Sequence, residues 1–327
     1  MLFIHGIGHF HPNNIIDNKF LIDLNIDTTN EWIIDRVGIQ TRRTILSLDY
    51  IKNTYNKHPE SIGPHIEFSN VQTGALAATQ ALEQAKLSSK DIGLVISGSC
   101  SPQYSLPAEA CMIAAELGIE AQAFDVNSAC STFVVHMNMI NNMRQESLPD
   151  YILLVIPENI TKSIDFSDRK VAVLFGDAAS AIIVSKKHKS NTCVTYTTIE
   201  SNPSGCKTIT MPTGGHFYQD GSAVQRFAIK KTLLTIKKLL NSGNILHNNY
   251  YFIGHQANLT MLNSICKSAN IDKKHHLYNV DKYGNCGAAG APSVLSENWN
   301  IFKSGDQIIL AVVGAGLTWG GMVINRL

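Results

Sequence analysis

The stretch AFDVNSACSTFVVHMNMI (123–140) decides the architecture. AFDV is a run suited to a buried strand, Asn127 and Ser128 are residues that open helices, and Phe133, Val134, Met137 and Ile140 then recur at helical spacing. A strand that turns straight into a helix is the building unit of a layered α/β protein. The spacing places Cys130 in the first turn of that helix, where unpaired backbone N–H groups and the positive end of the helix dipole favour a thiolate and can hold an oxyanion. Buried cysteines commonly serve only as small apolar residues, so this segment alone leaves nucleophile and packing residue equally open.

Outward from it, short β-rich runs alternate with helical patterns along the whole chain. Strands are expected at 2–7, 92–99, 123–126, 151–158 and 171–185, with helices at 71–84, 107–117 and 129–142. After KKHK (186–189) the succession restarts. Strands are expected near 193–200, 251–254 and 276–279 and in a glycine-broken pair at the end, and helices at 224–240, 259–269 and 288–302. Two similar successions suggest two pseudo-equivalent halves, 1–185 and 186–327, within one body. The stretches 47–70 and 201–222 are polar and turn-rich, as loops or covers are.

Composition excludes several classes. The chain has 327 residues, 44% of them apolar, and 27 basic against 26 acidic side chains leave a formal charge of +1. Such a balance offers no field to hold a polyanion, so nucleic acid is not an expected partner. Seven cysteines, an odd number with no CxxC pair and no His-rich zinc spacing, argue against a disulfide scaffold and against a metal site. They fit a reducing cytoplasm. The first twenty residues lack the pattern of a signal peptide, and IILAVVGAGLTWGGMVI (308–324) is cut by glycines into two strands rather than forming a membrane span.

Three further segments carry reactive side chains. In YFIGHQANLTML (251–262) a short apolar strand stops at His255, a place where sites gather in α/β folds, although a lone histidine is more often structural. In DKYGNCGAAGAPSVLSENW (281–299) glycines flank Asn285, so backbone and ligand can approach it closely, although a Gly-rich helix entry reads the same way. VVGAGLTWGGMVINR (312–326) is a Gly loop between two strands and has nothing of a phosphate-binding loop.

Together with TTNEWIIDRVGIQTRR (28–43), SLPAEACMIAAELGI (105–119) and SDRKVAVLFGDAASA (167–181), these segments resemble the β-ketoacyl-ACP synthase III family of the thiolase superfamily over nearly the whole chain. The resemblance implies a thiolase-like α/β fold, with two βαβαβ-type halves forming a layered αβαβα body. It implies a Cys130, His255 and Asn285 site that takes an acyl group onto Cys130 and condenses it with a malonyl thioester after loss of CO₂, and an oxyanion hole from the amides of Cys130 and Ala315 or Gly316. It further implies Trp32, Arg36, Arg169 and Asn258 as contacts for CoA and its pantetheine arm. Acyl-CoA and malonyl-CoA or malonyl carrier protein would be substrates, with no tightly bound cofactor. A homodimer is implied, with Leu106 entering the partner's acyl pocket beside Val313.

The chain also departs from the family pattern. Thr260 stands where an Arg docks the carrier protein, leaving Arg226 and Lys267 as substitutes; ACSTF replaces ACxGF, Val313 replaces a Phe, GAG replaces GGG, and the 47–70 loop is long. Such changes suit a starter enzyme recruited to a specialised pathway. The alternative within the fold is an acyltransferase that passes the acyl group on without decarboxylation. A thiolase proper would need a second cysteine in the closing loop, and a papain-like protease a CGSCW-type flank; neither is present.

Overall fold

Residues 1–245 and 250–327 are described by the computed structural model. Strands β1 (Leu2–Phe10), β2 (Ile92–Ser97), β3 (Gln122–Asp125), β4 (Tyr151–Glu158), β5 (Ala178–Ser185), β6 (Thr192–Ser201), β7 (Tyr250–Gly254), β8 (His276–Leu277), β9 (Gln307–Gly314) and β10 (Thr318–Arg326) join in one ladder. Their order is β8-β7-β9-β10-β6-β1-β5-β4-β2-β3. From the β1–β6 seam, one side runs β1-β5-β4-β2-β3 and the other β6-β10-β9-β7-β8, so the order repeats. Directions repeat too: β2 is parallel to β3 and β4, β7 is parallel to β8 and β9, and the other neighbours are antiparallel.

The strands read as continuous apolar runs because both of their faces are covered. In β4, Ile152, Leu154 and Ile156 face the interior shared by the two halves, whereas Leu153 and Val155 face outward. In β9, Ile308, Leu310 and Val312 face that interior, and Ile309, Ala311 and Val313 face outward. The helices supply the remaining layers. Those that matter are α1 (Asn30–Val37), α2 (Asn70–Ala85), α3 (Glu109–Glu116), α4 (Thr132–Asn142), α5 (Gly221–Leu240), α6 (Leu259–Ser268) and α7 (Gly290–Glu297). Ala77, Ala81 and Ile113 of α2 and α3 pack on the outer face of the first half, and Ile236, Leu239 and Leu262 of α5 and α6 on that of the second. Phe133 and Met137 of α4 and Val294 and Leu295 of α7 fill the space between. The result is helix, sheet, helix, sheet, helix.

Several boundaries differ from expectation. The stretch expected as one strand at 171–185 is a short helix, Arg169–Ala172, capped by the Asp168 side chain, then a bend and β5. Gly176 makes that bend, since a Cβ there would meet the Tyr283 carbonyl at 2.1 Å. The 288–302 helix ends as α7 at Glu297, the 276–279 strand keeps only two residues, and the 47–70 stretch holds a helix, Leu48–Thr54. Helix α1, capped by Thr29, was not foreseen. No helix among the described residues is long and apolar enough to cross a membrane.

Candidate active site

Cys130 stands in the turn between β3 and α4, one step earlier than expected: Ser131 is the residue before the helix, and Cys130 precedes it. The turn is tightly tied. Val126 N–H donates to the Ser97 carbonyl (2.8 Å), Ala129 N–H to Asn127 Oδ1 (2.9 Å), Ser128 N–H to Thr132 Oγ1 (2.8 Å), and Ser131 Oγ to the Ser128 carbonyl (2.6 Å). Ala129 is held at φ 48°, a left-handed conformation that costs a residue with a Cβ roughly 1–2 kcal/mol. Strain immediately before a half-buried sulfur is the form a nucleophile turn takes.

His255 follows the last residue of β7, and its N–H donates to the Ala311 carbonyl of β9 (3.0 Å). The buried amide of Gln256 ties this strand end to the chain leading to Asn285: Nε2 donates to the Gly254 carbonyl (2.8 Å), and Oε1 accepts from Asn279 N–H (3.1 Å) and Val280 N–H (3.3 Å). Asn285 is cradled by the bend after Arg169–Ala172. Its N–H donates to the Leu174 carbonyl (2.8 Å), and its carbonyl accepts from Gly176 N–H (3.2 Å). Oδ1 of Asn285 accepts from Gly287 N–H (3.0 Å), which fixes the amide and turns Nδ2 outward as the donor.

The first two of these segments meet at the sulfur. The His255 imidazole lies beside the Cys130 thiol. At the tip of β9 a Cβ on Gly314 would lie 3.1 Å from the Cys130 nitrogen and 2.9 Å from that of Ser131, so only glycine lets the closing loop, with Ala315 and Gly316, lie on the nucleophile turn. Gly316 has φ 126°, which an L side chain rarely adopts.

Two further residues, unforeseen from sequence, stand beside Cys130. Cys100 follows β2 and its thiol lies against the Cys130 sulfur, while its N–H donates to Glu158 Oε1 at 2.6 Å. Glu158 ends β4, is wholly buried, and has its Oε2 2.4 Å from where a Cβ on Gly287 would stand. The adjoining Cys100 thiol and His255 pull the Cys130 thiol well below its ordinary value. That same contact, burial and the nearby Glu158 push Cys100 well above its own. Burial pushes the Glu158 carboxyl up to about 8. The arrangement therefore favours the thiolate at Cys130 over Cys100 and favours the protonated form of Glu158.

The outer residues are more dispersed. Trp32 and Arg36 lie one turn apart on α1, and the guanidinium of Arg169 sits 4.9 Å over the Trp32 ring while Nη1 donates to Asp27 Oδ2 (2.7 Å). Asn258 caps α6 through Met261 N–H (2.7 Å), so its side-chain oxygen is already engaged. Thr260, Arg226 and Lys267 are exposed on or near α5 and α6, Val313 is buried on β9, and Leu106 is 81% exposed.

Residues 124–203 match the family model for 3-oxoacyl-[acyl-carrier-protein (ACP)] synthase III, and residues 247–326 match the model for its C-terminal part. A β-ketoacyl-[acyl-carrier-protein] synthase III from Clostridioides difficile is 30% identical over 341 residues, covering 98% of this chain and 97% of that protein. The chain belongs to the β-ketoacyl-[acyl-carrier-protein] synthase III family. A synthase III from Clostridium botulinum strain Kyoto is 31% identical with the same coverage. The crystal structure of the synthase III from Aquifex aeolicus superposes with a TM-score of 0.88 at 27% identity, over 99% of this chain and 100% of that one. The priming β-ketosynthase of the R1128 polyketide pathway, 23% identical with a TM-score of 0.85, shares the fold. Membership of the synthase III family carries the thiolase-like fold and the acyl-transferring, condensing chemistry of ketosynthases.

Proposed function

We propose that the protein is a decarboxylating condensing enzyme in which Cys130, His255 and Asn285 are the reacting set, in fatty-acid initiation or in a specialised lipid or polyketide pathway. The observation that carries this reading is the Cys130 thiol lying beside the His255 imidazole under the Gly314–Gly316 loop. The Cys130 thiolate attacks the carbonyl of an acyl thioester; its tetrahedral oxyanion faces the amides of Cys130 and of Ala315 or Gly316, and the departing thiolate leaves an acyl-Cys130 thioester. A malonyl thioester, on CoA or on a carrier protein, then presents its thioester oxygen to His255 and to Asn285 Nδ2. These donors stabilise the enolate as CO₂ leaves. The enolate carbon attacks the acyl carbon, a carbon–carbon bond forms, and the Cys130 thiolate is released with a β-keto thioester as product. Asn285 suits this role because its donor does not titrate, and the Gly287 contact holds it in place.

Trp32 and Arg36 are proposed to meet the adenine and phosphates of CoA, with Arg169 lifting from the Trp32 face to admit the base, and Asn258 Nδ2 to reach the pantetheine. Arg226 and Lys267 stand in for the missing docking arginine. A cytoplasmic homodimer completes the reading: β3 is the open edge of the sheet, with Phe124 40% exposed, and Leu106 projects nearby. An exposed apolar edge strand invites a second copy, and Leu106 would then wall the partner's acyl pocket opposite Val313. The halves 1–185 and 186–327 supply Cys130 and the His255 and Asn285 pair respectively.

Intact mass spectrometry after incubation with a panel of acyl-CoA donors tests the reading. A single acyl adduct that disappears in Cys130→Ala is expected, followed by CO₂ release and a β-keto product on addition of malonyl-CoA. Asn285→Ala is expected to keep the adduct while condensation falls by about 10²–10³-fold. Transfer to an acceptor without CO₂ release would favour the non-decarboxylating alternative.

A further inference from the structure

At the opposite end of α7 from Asn285 lies a cluster that this chemistry does not use. His9 and His11 leave the end of β1 on the same side of the chain, and Glu297 closes α7; one donor atom from each lies within 4.8 Å of the others. Neither ring nitrogen of His11 reaches solvent or makes a full hydrogen bond among the described residues, and one of them faces the Asp177 backbone. The His11 ring is stacked on Tyr283 with centroids 3.6 Å apart and planes 3° apart, so it cannot swing away to seek a partner. His9 is oriented by Ser296 Oγ, 2.8 Å from Nδ1, and the Glu297 carboxylate by Asn279 Nδ2, 3.0 Å from Oε2. A buried imidazole with a nitrogen left unpaired is costly unless something is bound there. Oriented imidazoles beside an oriented carboxylate are how metal ligands are held.

We propose that His9, His11 and Glu297 bind one divalent late first-row transition metal ion, Zn²⁺ or Ni²⁺ in class, with water completing its coordination. Two imidazoles and one carboxylate select such ions over Mg²⁺ and Ca²⁺, which take oxygen ligands. The ion would clamp the exit of β1 to the end of α7 and, through the His11–Tyr283 stack, to the segment that carries Asn285. The cysteine spacings that argued against a metal do not bear on it, because the ligands come from the two ends of the chain.

Untagged full-length protein, stripped with chelator, is titrated with Zn²⁺, Ni²⁺, Mg²⁺ and Ca²⁺ by calorimetry and by melting temperature. The titration is repeated after alkylation with iodoacetamide, so that thiols do not compete. One equivalent of Zn²⁺ or Ni²⁺, unaffected by alkylation, is expected, with a rise in melting temperature on the order of 2 °C and no response to Mg²⁺ or Ca²⁺. His9→Gln and Glu297→Gln are each expected to weaken binding by about tenfold or more. Glu297 is exposed, so its variant keeps the test clear of misfolding. Absence of binding, binding that survives both variants, or binding lost on alkylation overturns the proposal.

Discussion

The sulfur of Cys130 is set by its neighbours more than by its helix. The adjoining Cys100 thiol and His255 imidazole stabilise the thiolate, while α4 begins only after Ser131. Replacing Cys100 with Ala removes a group that favours the charged form, so the Cys130 pKa rises. Alkylation of Cys130 by iodoacetamide, followed by intact mass across pH, should be fast near neutrality in the wild type and should shift its midpoint upward in Cys100→Ala. An unchanged profile would show that His255 and the turn suffice. Cys130, His255 and Asn285 each stand out in the sequence as a reactive side chain near an element end, but that pattern alone left each open to a structural role, and only the family resemblance names them as a set. Cys100 and Glu158 do not stand out, since SGSC and VIPE look like ordinary strand ends until β2, β3 and β4 lie side by side. A cysteine directly after the strand beside the nucleophile's own was the available signal.

Among the elements, helices with clear apolar spacing and fully buried strands were readable from the chain, and the clearest miss depends on distant partners. Thr41–Thr44 (TRRT) pairs with Asn14–Asp17, yet its sequence looks exposed. Arg42 is fully buried there because distant groups satisfy it: Nη1 donates to Asn18 Oδ1 (2.7 Å) and Nε to the Val173 carbonyl (3.0 Å). No local pattern announces partners 24 and 131 residues away. Arg42→Ala should therefore destabilise the protein by about 3 kcal/mol or more, through the lost packing and the carbonyl left unpaired, measurable by urea denaturation. A comparable constraint binds β9 to the nucleophile turn. Gly314→Ala would press a methyl group to 2.9 Å from the Ser131 backbone nitrogen. It is expected to lower acyl-adduct formation far more than it lowers the melting temperature.

For the molecule as a whole, buried carboxyls set the response to pH. Glu158 titrates near 8 in the folded protein against an ordinary 4.5, so the folded state holds its proton more tightly than the unfolded state. Its contribution to stability is complete below about 4.5, declines as pH rises, and is gone once pH passes about 8. Glu158→Gln cannot titrate, so urea denaturation across pH should show the variant gaining on the wild type between those limits and holding a constant difference above them. The repeated strand order could not be aligned from sequence, although the two successions of elements were visible. What repeats is direction and layering, which Val, Ile, Leu and Ala satisfy in many combinations. Among the described residues only Leu2 with Val194 and Phe3 with Cys193 pair across the β1–β6 seam. The side chains of α4 and α7, each packed on strands of both halves, thus hold one half to the other more than that short ladder does. A protease nick within Lys186–Lys189 should leave two fragments that co-sediment as a single particle and go on turning over, parting company only in denaturant.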